Sequence, residues 1–384
     1  MKHDPEIRIA CHIIRTIPYG AGILRGIIEW SRNRMNCRIQ NYVHFEDMRP
    51  FKPHGIIALL GNKKALAAAT SFSIPVVNVS SGQPNIPFPT VTTDNVAVGR
   101  FGAEHLLSIG LEQFAFARSP WTYFSRLRQA GFEETLRERG KTALPTYVQG
   151  ESEEGRSGDG YPHPPSMEVW LRKLPTPCGI MTDTEEMAGC LLSCAKHCSL
   201  RVPDDIAVVT ADQDEWFCEL SDPPLSCVPL MGQSVGWNAA EMLDRLLQGD
   251  PLPPKPLLLS PDPVVVRQSS DLLHIPDEHV CRALRFIRAH PHQRMTVPQV
   301  VSAAGVNRRT LEIQFRRYVH RTILEEINLA HLHEARRLLR ETHLPMIEVS
   351  EQSGFPNPER MTLVFKRETG FTPLAYRKQV APKD

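Results

Sequence analysis

Two groups of side chains in this 384-residue chain have types and spacing that could do chemistry. The first comprises Tyr19, Asp94, Arg128, Asp183 and Asp212. Two or three carboxylates beside one guanidinium suit a small polyol, because charged acceptors and a forked donor can hold vicinal hydroxyls. Asp94 and Asp183 also stand where helices begin, so spacing alone leaves helix capping open for both. The second group is GVNRRTLEIQFRR, Gly305 to Arg317, which sets four arginines on one short amphipathic helix behind a glycine. Cationic groups concentrated in this way suit a polyanion. Scattered His and Cys residues supply no nucleophile, acid–base pair or metal set, so the sequence predicts no enzyme, cofactor or bound metal. Cys190, Cys194 and Cys198 do recur every four residues beside His197. Small thiols behave as apolar side chains, and that stripe is expected to be the buried face of a helix.

The chain is long enough for two or three domains, each with its own core. Its net charge of +1 conceals an asymmetry. From Pro276 onward there are 18 Lys and Arg against 12 Asp and Glu, leaving 26 against 31 upstream. An acidic body with a basic tail is the distribution expected where one module meets a polyanion. Nine cysteines, an odd number at irregular spacing, point to reduced thiols rather than a disulfide framework. The N-terminus lacks a signal-peptide pattern and no run of about 18 apolar residues occurs, so a cytoplasmic protein without a membrane partner is expected.

The elements that must position the first group alternate along the body. IRIACHII, HGIIALL, IPVVNV, QFAFAR, CGIMT and DIAVVTA read as buried strands, each followed by a helix or turn. That is the pattern of a parallel sheet covered on both faces. Such sheets bind ligands outside the carboxyl ends of their strands. Tyr19 follows the first strand, Asp94 follows VTT, Asp183 follows GIMT and Asp212 follows VVTA, while Arg128 lies in the helix after QFAFAR. The glycines of SEEGRSGDGYPHPP do not sit between a strand and a helix, so a surface loop is expected there. A proline-rich crossing, GDPLPPKPLLLSPDPVVVRQSSD, should return apolar edge strands, and RQSSDLLHIPD is the linker candidate.

VTTDNVAVGRFGAEHLLSIGLEQFAFAR, SRLRQAGFEETL and DDIAVVTADQDEWFCELSDPPLSCV resemble the effector-binding core of LacI/GalR-type regulators, which is similar to periplasmic sugar-binding proteins. The resemblance implies a two-lobed α/β effector domain over residues 1–270. It also implies that Arg128 and Asp212 contact a sugar, together with Asp94 and Asp183.

The tail, residues 271–384, writes one motif twice, at about 297–317 and 346–368. Val297, Val300, Val301 and Ala304 precede Gly305, and Met346, Val349, Ser350 and Ser353 precede Gly354, offset by 49 residues. Each unit predicts a helix, a glycine turn and a second helix capped by Asn307 or Asn357. Leu311 and Phe315 should lock one second helix inward, and Met361 and Phe365 the other. That frees Asn307, Arg308, Arg309 and Glu312 in one copy, and Asn357, Glu359, Arg360 and Thr362 in the other, to enter a major groove. Arg316, Arg317, Lys366 and Arg367 at the far ends are placed for phosphates. Between the copies, RTILEEINLAHLHEARRLLRET should bury Leu324, Ile327, Ala335, Leu338 and Leu339 on one face, with Thr322 and Glu325 as a capping box.

AAGVNRRTLEIQFRR, EARRLL, SGF and FKRETGFTPLAYR resemble the all-α, double helix-turn-helix DNA-binding domain of AraC-type regulators over about residues 276–380. Ile313 stands where that family often has a polar reader. A LacI/GalR-type core joined to a C-terminal AraC-type domain resembles the group of xylose-operon regulators. This resemblance implies a DNA-binding transcription regulator, an activator, controlled by D-xylose or a related sugar or sugar derivative. Its expected partners are operator DNA, a second copy in a homodimer, and RNA polymerase. A solute-binding protein would share the body but have no use for the basic tail.

Overall fold

The computed structural model describes residues 6–32, 36–120, 122–150, 164–211, 215–251, 253, 255–271 and 275–380. Asp212, and all of the loop 152–165 except its last two residues, lie outside them. The first lobe is built from β1 (Ile7–His12), α1 (Pro18–Arg32), β2 (Cys37–Asn41), β3 (Gly55–Ala58), α2 (Lys63–Thr70), β4 (Val76–Asn78) and β5 (Val91–Thr93). The chain then crosses into a second lobe through α3 (Asn95–Ser108), β6 (Gln113–Arg118), α4 (Tyr123–Glu138), β7 (Tyr147–Val148) and α5 (Pro165–Leu171). That lobe continues with β8 (Cys178–Thr182), α6 (Glu185–His197), β9 (Ile206–Ala211), α7 (Glu215–Leu220) and β10 (Ser226–Val228). The chain returns to the first lobe with α8 (Gly232–Leu247) and β11 (Leu257–Leu259), then crosses a third time so that Val265 bridges Cys227 of β10.

Both sheets are parallel, in the orders β2-β1-β3-β4 and β10-β9-β8-β6-β7. Strand β11 pairs with β5, whose entry bridges β4 through Asn78 and Thr90. Strands β3 and β9 are buried along their whole length, which explains why the sequence writes them as unbroken small and apolar runs. Within the second lobe Ile180 lies between Ala115 and Val208 across the ladder. Cys190 and Cys194 of α6 join that core and Cys198 packs against it, as expected of a buried face. In each lobe a pair of helices meets at facing glycines: Gly26 and Gly236 for α1 and α8, Gly99 and Gly131 for α3 and α4. A Cβ at any of these would run into the partner helix's backbone.

The edge strands expected in the proline-rich crossing are β11 and the bridge at Val265. In the linker segment, Ser269 donates to the Val208 carbonyl at 2.7 Å and Ser270 donates to Ser226 at 2.7 Å, so residues through Ser270 are held by the second lobe. Ile275 already belongs to the next core.

The remaining chain is helical: α9 (Glu278–Ala289), α10 (Val297–Ala304), α11 (Arg308–Val319), α12 (Ile323–Glu341), α13 (Met346–Gln352), α14 (Pro358–Thr369) and α15 (Pro373–Val380). Gly305 and Gly354 make the two expected turns with φ of +68° and +79°. Leu311 and Phe315 are fully buried in one unit, Met361 and Phe365 in the other. In α12 the expectation fails at one position: Leu324 is 48% exposed, while Ile323, Ile327, Ala335, Leu338 and Leu339 are buried. The 3.6-residue period places Ile323, not its neighbour, one turn before Ile327. The Thr322–Glu325 capping box is present.

Candidate effector cleft and nucleic-acid interface

Of the predicted ligand residues, Arg128 and Asp183 lie in the second lobe and Tyr19 in the first. In the second lobe, Arg128 and Asp183 are brought together. The Arg128 guanidinium is buried, donates from Nε to Asn95 Oδ1 at 2.9 Å and from Nη1 to the backbone carbonyl of Asp183, and lies 4.7 Å over the Phe124 ring. Its position is fixed by the close α3–α4 contact, since the Arg128 backbone abuts Gly99. Asp183 is fully buried. Its Oδ2 accepts from the Ser119 amide at 3.0 Å, the Ser119 hydroxyl at 2.8 Å and the Ser125 hydroxyl at 2.5 Å. Its Oδ1 is buried without a hydrogen-bond partner. Burial pushes the Asp183 carboxyl above the usual carboxylate range, while the serine bonds and the Arg128 charge pull the other way.

On the first lobe the Tyr19 hydroxyl lies 3.4 Å from Thr92 Oγ1, which is 2.8 Å from the Ser81 hydroxyl. The lobes touch across the cleft where the Tyr123 amide donates to the Gly82 carbonyl at 3.2 Å. Of the two aspartates for which capping was open, Asp94 caps: its side chain accepts from the Ala97 amide at 3.0 Å at the start of α3. Asp183 does not, because Thr184 caps α6 by accepting from Met187 at 3.3 Å. Asn95, Ser119 and Ser125 were missed, although Ser119 directly follows β6 and the strand-end rule would have reached it. The ensemble can donate and accept hydrogen bonds around a small hydroxylated molecule. An unpaired buried carboxylate oxygen costs about 1–3 kcal/mol or more, which a bound hydroxyl would offset.

In the helical domain the predicted cationic groups occupy exposed faces. Asn307 and Asn357 cap α11 and α14, accepting from Thr310 at 2.9 Å and from Arg360 at 2.8 Å. Arg309, Glu312, Arg316 and Arg317 of α11 are exposed, as are Glu359, Lys366 and Arg367 of α14, with Arg360 and Thr362 half-buried. Arg308 is exposed but engaged, its Nε donating to Glu312 at 2.8 Å. Arg367 similarly lies 2.6 Å from Glu368. Along α14 a shallow furrow is bordered by Glu359, Thr362, Leu363, Lys366 and Arg367. Leu363 is the missed residue of these faces: it occupies the position that matches Ile313 in the other copy, and the two are 57% and 59% exposed. The 19 residues of α12 separate the two faces by roughly 28 Å of helix. That approaches the one-turn repeat of about 34 Å between adjacent major-groove sites.

Residues 103–270 match the family model of a periplasmic binding protein-like domain, and residues 300–379 that of a helix-turn-helix domain. The chain is 29% identical to the xylose operon regulatory protein of Haemophilus influenzae over 87% of each chain. It is 30% identical to the xylose operon regulatory protein of Escherichia coli, over 84% of this chain and 83% of that protein. The chain belongs to the AraC-type regulators with a periplasmic-binding-protein-like effector domain. A solved structure of a xylose-binding transcription activator is similar over 99% of this chain and all of its own, at 26% identity and a TM-score of 0.62. The regulator is thus a DNA-binding transcription factor rather than an enzyme, with a sugar-binding type of domain ahead of its helix-turn-helix units. None of its described helices is long and apolar enough to cross a membrane.

Proposed function

We propose that this regulator is a cytoplasmic homodimeric activator that binds D-xylose or a related sugar in the cleft and operator DNA through α11 and α14, and acts on RNA polymerase at its promoters. The observation that carries the reading is the coexistence, in one chain, of a buried Arg128–Asp183 unit with an unsatisfied carboxylate oxygen and two matched helix-turn-helix units. Xylose is supported by the names of the similar regulators and of the similar solved structure. The dimer and the polymerase contact rest on the family likeness.

The sugar's hydroxyls would be held by Asp183, Arg128, Asp212 and the Tyr19 lobe together, drawing the lobes onto each other. For this to alter DNA binding, the sugar must bind one lobe arrangement more tightly than the other. A thermal-shift screen of pentoses and hexoses should show D-xylose, or one close relative, raising the melting temperature. A ligand at 100 times its Kd adds about 2.7 kcal/mol to folding. The same sugar should change operator affinity in a gel-shift titration. A flat screen, or binding without any effect on operator affinity, would overturn the reading.

A further inference from the structure

The third crossing between the lobes, Ser260–Pro263, carries a buried carboxylate that the cleft does not use. Asp262 is only 3% exposed. The Tyr376 hydroxyl of α15 donates to its Oδ1 at 2.8 Å. Two guanidinium groups of α12 face it as well: Arg336 at 3.7 Å and Arg340 in direct contact with Oδ2. Arg336 is itself buried, donates to the Pro261 carbonyl at 2.7 Å, and has its guanidinium 5.2 Å from the Tyr376 ring centre. A buried carboxylate is tolerated only when its charge is compensated, so this cluster resists separation. Prolines on both sides restrict the backbone at Asp262, and the direction of its side chain therefore follows the path of the hinge.

The helical domain also bears on each lobe separately. Arg321 pairs with Glu104 of α3 in the second lobe at 3.7 Å, and α11 packs against α3. On the first lobe, α15 packs against α8, and one continuous apolar cluster runs from Val235 and Leu243 to Leu338 and Tyr376. A rotation of the lobes changes the hinge and both of these footings together. Helix α12 is the rigid spacer between the two reading helices, so whatever tilts it re-aims both. In the docked arrangement Arg309, Ile313 and Lys366 remain exposed, so the contact orients the reading faces instead of covering them.

We propose that Asp262 is the positioning residue that couples the state of the cleft to the two DNA-reading helices, by gripping α12 and α15 from the hinge. The proposal rests on the reading above that a sugar in the cleft alters DNA binding. The test measures operator Kd with and without D-xylose for the full-length wild type, Asp262→Asn, Arg340→Ala and the double variant, with calorimetric sugar titrations in the absence of DNA. The wild-type ratio of the two operator Kd values is expected in the range of about 5 to 150 for coupled sites. It should fall to near unity in each single variant while the sugar still binds, with the double variant no worse than either single. Tyr376→Phe, which removes one hydroxyl, should give an intermediate ratio and guards against a folding defect in the charge variants. Variants that bind sugar and keep the wild-type ratio overturn the proposal, as does Asp262→Asn losing sugar binding while folded, which would place the residue in the cleft. A wild type that binds no sugar defeats the underlying reading instead, and the two failures are read from different titrations.

Discussion

Arg309 and Lys366 are both exposed cations on reading helices, yet they differ in what their position allows. Arg309 sits in the first turn of α11, next to the capped end, the position proposed to reach base edges. Lys366 sits in the last turn of α14, the position proposed to meet phosphate. Arg309→Ala is therefore expected to weaken operator binding by about 1–3 kcal/mol while changing random-sequence binding less. Lys366→Ala should weaken both alike and lower the salt slope by about one. Binding curves at several salt concentrations on operator and random duplexes would show the reverse ranking if the roles are misassigned. At this scale the sequence named the Asn307 and Asn357 caps, but it left open whether Asp94 and Asp183 cap helices and did not show Arg308 paired with Glu312. Asp94, Asn307 and Asn357 spend a side-chain oxygen on a helix amide, and Arg308 is paired with Glu312. Only coordinates separate those groups from Asp183, whose Oδ1 is left unsatisfied.

Elements were far more legible than atoms, because their signals are periodic and repeated. The buried strands announced themselves as apolar runs, and the doubled helix-turn-helix was readable from an offset of 49 residues between Gly305 and Gly354. The glycines are equivalent in backbone but not in surroundings, which no sequence pattern reveals. A Cβ at Gly305 would lie 3.2 Å from the flexible end of Arg282, whereas one at Gly354 would lie 2.7 Å from both the Gln293 carbonyl and His331 Nε2. His331 in turn is 3.1 Å from that same carbonyl, so this corner has no slack. Gly305→Ala should cost roughly the 1–2 kcal/mol of a left-handed backbone. Gly354→Ala should cost clearly more, since a clash with backbone is added. Urea unfolding of both variants decides the matter, and equal losses would mean that the α13–α14 corner yields easily. The misassigned face at Leu324 has the same origin: adjacent apolar residues at a helix start leave the phase ambiguous by one position until packing selects Ile323.

At the scale of the whole molecule, two domains could be read in order along the chain but not how they bear on each other, because interdomain contacts pair residues that no local pattern links. Between them lies a cavity of about 570 Å³ bordered by His105, Asp262, Arg288, Arg321 and Arg336. His105, on α3, is buried against Ser270, 2.6 Å away, at the point where the effector domain hands the chain on. Burial, reinforced by the nearby charge of Arg288, pushes its pKa down to about 3. In the unfolded chain the same imidazole titrates near its ordinary value of about 6.5. Between those values the unfolded state binds a proton that the folded state does not, so stability falls as the pH is lowered. The contribution is fully present above about pH 7, and each pH unit below 6.5 removes up to about 1.4 kcal/mol. His105→Asn abolishes this titration, and the difference in unfolding free energy between wild type and variant should therefore shrink steadily from pH 7 to pH 5. A difference that stays constant over that range would mean that the His105 site opens to solvent and protonates in the folded protein.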